Sequence, residues 1–130
     1  MSSKRVLVVD DEEMLARAIR NVLQAEGFEV EIASDGHEAL RAFKSFRPDV
    51  MIMDVMMPKE NGYRVSRMIK MLGPGAVGMR VPKIMLVTAR NLGYDPEREE
   101  MLTQFSMADA VLYKPFKFKE LLGKVRLWTE

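Results

Sequence analysis

An open α/β sheet of five parallel strands, ordered 2-1-3-4-5 with helices on both faces, is the fold this sequence predicts, and three observations predict it. Strand-like and helix-like patterns alternate strictly along 130 residues. The third and fourth strand segments, DVMIMD and KIMLV, are apolar throughout, as strands covered on both faces are. The second, FEVEIA, alternates Phe28, Val30 and Ile32 with Glu29 and Glu31, so one of its faces is wet and it belongs at a sheet edge.

The elements follow in order. RVLVV reads as a buried strand, and a helix runs from about Glu12 to Ala25 with Met14, Leu15, Ala18, Ile19, Val22 and Leu23 at helical spacing. Gly27 is placed to end it. After the wet strand, Ser34 and Asp35 open a second helix. Glu38, three residues beyond Asp35, makes a capping-box arrangement, and Ala39, Leu40 and Phe43 form the inner stripe. A third helix, from about Gly62 to Leu72, is expected to bury Val65, Met68, Ile69 and Leu72. GPGAVGMRVP, with three glycines and two prolines, is a loop. Asp95 before Pro96 and Glu97 starts the fourth helix, because proline's missing N–H does no harm in a first turn. ADAVLY is the fifth strand, and Phe118, Leu121, Leu122 and Val125 mark the last helix. No repeat, low-complexity segment or linker interrupts the series, so the expectation is one domain over residues 1–130 with a core from about 5 to 125.

Composition excludes several functions. With 20 Lys and Arg against 19 Asp and Glu, the net charge of +1 gives no bulk drive toward nucleic acid. The absence of cysteine removes disulfides and thiolate metal sites, and the single histidine leaves no multi-histidine zinc site. No apolar run approaches the roughly 20 residues that span a bilayer. MSSKRVLVVDDE passes directly into a strand without a signal-peptide pattern. The expectation is a cytoplasmic domain with no membrane partner.

Four strand ends carry the chemistry. Asp10 and Asp11 close the first strand, Asp54 the third, Thr88 the fourth and Lys114, before Pro115, the fifth. In such a sheet ligands bind beyond the carboxyl ends of the strands, so residues spread over a hundred positions meet at one edge. Three carboxylates at close range raise one another's pKa unless a cation intervenes, and all-oxygen ligands favour a hard ion, Mg²⁺ or Mn²⁺. Lys114 adds a positive charge and Thr88 a hydroxyl donor, which together make a receptor for a transferring phosphoryl group. The carboxylate between them, Asp54, then serves as nucleophile and forms an acyl phosphate. For Asp10–Asp11 alone, capping of the next helix is an equally open reading.

On these residues the chain resembles the receiver domain of bacterial two-component response regulators from Arg5 to about Val125. The likeness rests on Asp10–Asp11, on Asp54 in DVMMPKENG, on Thr88–Ala89 and on Lys114–Pro115–Phe116. It implies that Asp54 accepts a phosphoryl group from the histidine of a sensor kinase or phosphotransfer protein. It also implies that Asp11, Asp54 and the Met56 carbonyl hold Mg²⁺, with Asp10 assisting through water. Thr88 would bond the phosphoryl oxygens, Lys114 would pair with the group, and Pro115 would follow a cis peptide bond. Pro58 and Gly62 match the loop where the backbone turns after the acceptor. The resemblance further implies a surface on the fourth helix, fifth strand and fifth helix, read by a downstream effector domain or protein, and a homodimer on phosphorylation. No effector domain follows within these residues.

The chain departs from the family at particular positions. Val111 stands where an aromatic usually lies, Met107 stands where glycine usually precedes Ala-Asp, and the loops 73–82 and 90–95 are long. Val111 and Tyr113 share one face of the fifth strand and Lys114 takes the other. Tyr113 is expected to pack under the fifth helix. Met56 and Arg90, two residues beyond the acceptor and the threonine, flank the water path to phosphorus and imply slow self-dephosphorylation. His37 and the charges Arg98–Glu100 read as solvated surface, and the 12 methionines as core filler. Trp128 reads either as an exposed end or as a contact.

Three other functions compete. An Mg²⁺-dependent aspartate-nucleophile phosphohydrolase would need a D-x-D pair, whereas the first-strand acids here are adjacent and Met56 lies two after Asp54. A flavodoxin-like flavin binder of the same topology would need a Ser/Thr/Gly-rich phosphate loop where this chain has DDEE. A receiver-like module that binds partners without being phosphorylated would not need the complete set of acids, hydroxyl and lysine.

Overall fold

The computed structural model describes residues 3–57, 59–73, 80–89 and 94–130. Strands β1 (Arg5–Val9), β2 (Glu29–Ala33), β3 (Val50–Asp54), β4 (Lys83–Ala89) and β5 (Ala110–Lys114) alternate with helices α1 (Glu13–Ala25), α2 (Gly36–Phe46), α3 (Gly62–Leu72), α4 (Pro96–Ser106) and α5 (Phe118–Thr129). The sheet is parallel throughout and ordered β2-β1-β3-β4-β5, as predicted. Two apolar layers cover it. On one face Leu7, Val9, Met51, Met53, Ile84 and Leu86 pack with Phe43, Val65 and Ile69 of α2 and α3. On the other, Val6, Val8, Ile52 and Met85 pack with Ile19 and Leu23 of α1 and Leu121 and Val125 of α5. The acidic side of β2 stays wet because that strand is an edge, whereas β3 is buried at every position.

Local chemistry sets the helix ends. Gly27 takes φ +93 just after α1, a left-handed turn that glycine adopts without a Cβ penalty. Asp35 accepts the Glu38 amide at 2.8 Å, while the Glu38 carboxylate reaches back to the amide and hydroxyl of Ser34. Asp95 accepts the amides of Glu97 and Arg98 ahead of Pro96, as the sequence anticipates. Met107, in the glycine position, takes φ 61 and ψ 18 at the end of α4.

Several expected burials are corrected. Met68 and Leu72 of α3 are exposed, and Tyr63 and Ser66 fill the inner face instead. Met14 is exposed, and α1 buries Ala16, Ile19 and Leu23. The strand methionines Met51, Met53 and Met85 do fill core, but Met56, Met71 and Met101 face outward. Among the described residues, α4 buries only Ser106. Polar ties hold its far end: the Ser66 hydroxyl donates to the Ser106 carbonyl at 2.8 Å, and Arg67 to the Phe105 carbonyl at 2.9 Å. Trp128 is half-buried on the α1–α5 layer, and His37 is exposed.

Candidate functional site

The carboxyl edge of the sheet gathers the predicted residues. The amide of Asp10 bonds the Ala33 carbonyl, extending the β1–β2 ladder by one residue, and the Asp10 carboxylate then accepts the Glu12 amide at 2.9 Å. That bond turns the chain toward α1. Neither aspartate caps the helix: Glu12 is its N-cap and makes no side-chain cap bond. The capping alternative therefore does not account for the acidic pair. At the end of β3, Val55 continues the ladder to Val87, and the Met56 amide donates to Asp54 Oδ1 at 3.3 Å. Gly62 then passes so close that a Cβ there would lie 2.6 Å from the Asp54 carbonyl oxygen. Only glycine permits this approach of the start of α3 to the end of β3. Pro58, expected in the loop after Asp54, lies outside the described residues.

Asp10, Asp11 and Asp54 each bring a carboxylate oxygen to within 4.8 Å of the others. Asp10 and Asp54 are buried, while Asp11 opens to solvent. Lys114 lies 3.7 Å from Asp54 Oδ1 and 3.9 Å from Glu12. Thr88, 4% exposed, is the penultimate residue of β4 and follows Val87, the register partner of Asp54. The Lys114–Pro115 peptide is cis.

Electrostatics give these acids an unsettled character. Burial pushes Asp10 up to about 6, the Glu12 amide opposes this, and the Asp54 charge adds to it. Burial also raises Asp54, against the pull of Lys114, the Met56 amide and a hydrogen bond from Asp10. One lysine does not compensate three clustered carboxylates. An all-oxygen set of this kind, with two members desolvated, fits a hard divalent cation.

Sequence reasoning missed Tyr63 and Glu99. The Tyr63 hydroxyl, buried beneath the crevice between α3 and α4, donates to Glu99 Oε2 at 2.7 Å. Burial and this bond both raise the phenol's pKa, and the Thr88 hydroxyl, acting on it as a donor, works the other way. Glu99 is therefore half-buried and engaged, which corrects the reading of Arg98–Glu100 as a solvated face at that one residue, while Arg98 and Glu100 are exposed. Tyr113 is corrected as well. It pairs in register with Thr88, packs edge-to-face on Tyr94 at 6.1 Å, and adds to the field at Tyr63. It thus faces the α3–α4 side, as Val111 does, and does not lie under α5. The crevice, about 550 Å³, is lined by Met56, Tyr63, Thr88, Tyr94 and Glu99 among others. Arg90 and the loop segments 74–79 and 90–93 lie outside the described residues.

The chain is similar to known proteins. Residues 6–126 match the family model of the response regulator receiver domain. The response regulator MprA of Mycobacterium tuberculosis is 39% identical over 124 residues, 95% of this chain and 50% of that protein. The chain spans about half the length of the curated relatives it matches. Among solved structures, chemotaxis response regulator CheY4 of Vibrio cholerae superposes with a TM-score of 0.82 at 30% identity, over 98% of this chain and 99% of that one. The response regulator TrrA of Thermotoga maritima, solved in complex with Mg²⁺–BeF, gives 0.77 at 34% identity over 96% and 98%.

Proposed function

Because the chain belongs to the response regulator receiver family, we propose that it is a phosphorylation-controlled switch whose phosphoacceptor is Asp54. The observation that carries this reading is the position of Asp54. It is a buried carboxylate within 3.7 Å of Lys114 and within 4.8 Å of Asp10 and Asp11, at the end of a fully buried strand. A phosphoryl group entering from a sensor histidine kinase or phosphotransfer protein meets Asp54 along the open carboxyl edge. The Asp54 oxygen attacks phosphorus, the phosphorus–donor bond breaks, and the donor leaves with the electron pair.

Each neighbour has a task in that step. Lys114 offsets the charge gathering on the phosphoryl oxygens, and Thr88 offers its single hydroxyl proton to one of them. The Met56 amide, already on Asp54 Oδ1, fixes the carboxylate's orientation. Asp11, Asp54 and the Met56 carbonyl would hold Mg²⁺, or Mn²⁺, with Asp10 assisting. That ion would supply charge neutralisation that lets an anionic donor approach. The domain assists its own phosphorylation and dephosphorylation and does not turn over a separate substrate. Its output is a change in the surface presented to an effector domain or protein. A homodimer formed on phosphorylation would be one such output.

The phosphohydrolase alternative lacks its second acid: Met56, two residues after Asp54, is an exposed thioether. Incubation with acetyl phosphate and Mg²⁺, borohydride trapping and peptide mass spectrometry tests the assignment. Label is expected on Asp54 alone, and lost with a chelator. Label that persists in Asp54→Ala would refute it.

A further inference from the structure

Six of the eleven large apolar side chains that stand exposed among the described residues lie on α3, on α4 or in the residue after it: Met68, Met71, Leu72, Met101, Phe105 and Met107. Such a gathering on one face marks a surface that another molecule covers. Both helices follow strands of the parallel sheet and cover the same side of it, so they run side by side in one direction. Their outward stripes are alike in layout and opposite in charge. On α3, opposite the buried Val65, Ser66 and Ile69, the stripe runs Arg64, Met68, Met71. On α4, opposite Leu102, Thr103 and Ser106, it runs Glu97, Met101, Gln104, with Glu100 beside it. Arg64, Glu97 and Glu100 form no ion pair among the described residues. The sequence of α3 holds no acid, and Arg98 is the one base of α4.

We propose that this face pairs with the same face of a second copy of the chain. A two-fold axis parallel to the helices, above the seam between them, lays α3 of each copy over α4 of the other. Arg64 of either copy then meets Glu97 and Glu100 of the other, and Met68 meets Met101 one turn further on. An axis across the helices would set α3 on α3 and leave those charges unmatched. Size sets the strength. Two helices of 11 residues, about 16 Å long and about 10 Å apart, offer on the order of 400 Å² per copy, about half of the ~800 Å² in a stable interface. The contact is therefore weak, with a dissociation constant on the order of 100 µM, and its rim charges are open to screening by salt. It needs no phosphoryl group on Asp54.

Sedimentation equilibrium of the whole chain from about 10 µM to about 1 mM, without a phosphodonor, tests the pairing. The wild type is expected to pass from near the mass of one chain to near twice that mass, and to fall back in about 0.5 M salt. Arg64→Glu and Glu97→Arg should each weaken association about tenfold or more, because each sets like charges opposite one another. The two together should recover most of it. Met101→Gln, which leaves every charge in place, should weaken it as well. Leu127→Gln, on the exposed side of α5, should change nothing. Glu97 lies in the first turn of α4, so far-UV circular dichroism checks that the helix persists, and Glu100→Arg takes its place if the turn frays. A wild type that stays monomeric to about 1 mM overturns the proposal and leaves the face to a different partner. So does a dimer that Leu127→Gln dissolves, or one in which the paired swap associates no better than the single ones.

Discussion

Replacing Asp10 by asparagine is expected to stabilise the metal-free protein at neutral pH while removing a carboxylate from the proposed ion site. Asp10 is 4% exposed, and burial with the Asp54 charge beside it lifts its pKa from 3.8 to about 6. At about 1.4 kcal/mol per pKa step, that rise corresponds to about 3 kcal/mol by which the charged form is disfavoured in the fold. Asparagine keeps the acceptor for the Glu12 amide at 2.9 Å and adds a permanent donor toward Asp54. The expected gain at pH 7.5 is about 2–3 kcal/mol, or about 1–2 M in urea midpoint. The pH dependence has a definite sign. With its pKa raised, folded Asp10 binds its proton more tightly than the unfolded chain does. The wild type therefore loses stability as the pH rises from about 4 to about 6, and Asp10→Asn does not. The advantage of the variant should disappear near pH 4. Added Mg²⁺ should narrow the gap at pH 7.5, since it stabilises the folded wild type by mass action. Urea titrations followed by circular dichroism, with chelator and with Mg²⁺, measure all three. A variant no more stable than wild type at pH 7.5 with chelator would refute the reasoning.

Two further outcomes are expected. Met56, two residues beyond Asp54, carries an exposed thioether that cannot orient water, so Met56→Asn should shorten the life of the phosphorylated protein by on the order of tenfold; an unchanged loss of label after donor removal would show that the side chain does not gate water. Met107 adopts φ 61 at the end of α4 and is mostly outside the core, so Met107→Gly should stabilise the chain by about 1 kcal/mol, about 4 °C in thermal midpoint, with no gain if the strain is relieved elsewhere.

Legibility in the sequence followed the strength of the local physics. Buried strands are continuous apolar runs, so their ends, and with them Asp10, Asp54 and Thr88, are plain in the sequence; Lys114 closes the half-buried but equally apolar run of β5. Helix starts were equally plain where Asp35 and Asp95 cap them. What failed were side-chain directions decided by tertiary contact. Met68 and Leu72 fit the apolar spacing of α3, but the side they occupy is left open, and Ser66 goes inward because the Ser106 carbonyl awaits its hydroxyl. Tyr63 follows the glycine that starts α3, so it gives no periodic signal, and Glu99 sits in a run of charges that looks solvated. Tyr113 had the right face predicted and the wrong neighbour assigned, because its contact is Tyr94 in a segment without secondary-structure signal. The methionine at 107 was visible as a departure, but only its left-handed backbone shows what glycine would do there.

The shallow seating of α4, which buries little more than Ser106, bears on how such a chain diversifies. A helix whose largest contribution to the core is the partly buried Leu102 can be rewritten along its outer surface, at Met101 or Gln104, with small penalties to folding. Its attachment is concentrated in a few polar contacts with α3, chiefly at Tyr63, Ser66 and Arg67. Attachment therefore occupies one side of the helix and leaves the other exposed. The outside can change by drift while the inner side keeps the helix fastened to α3.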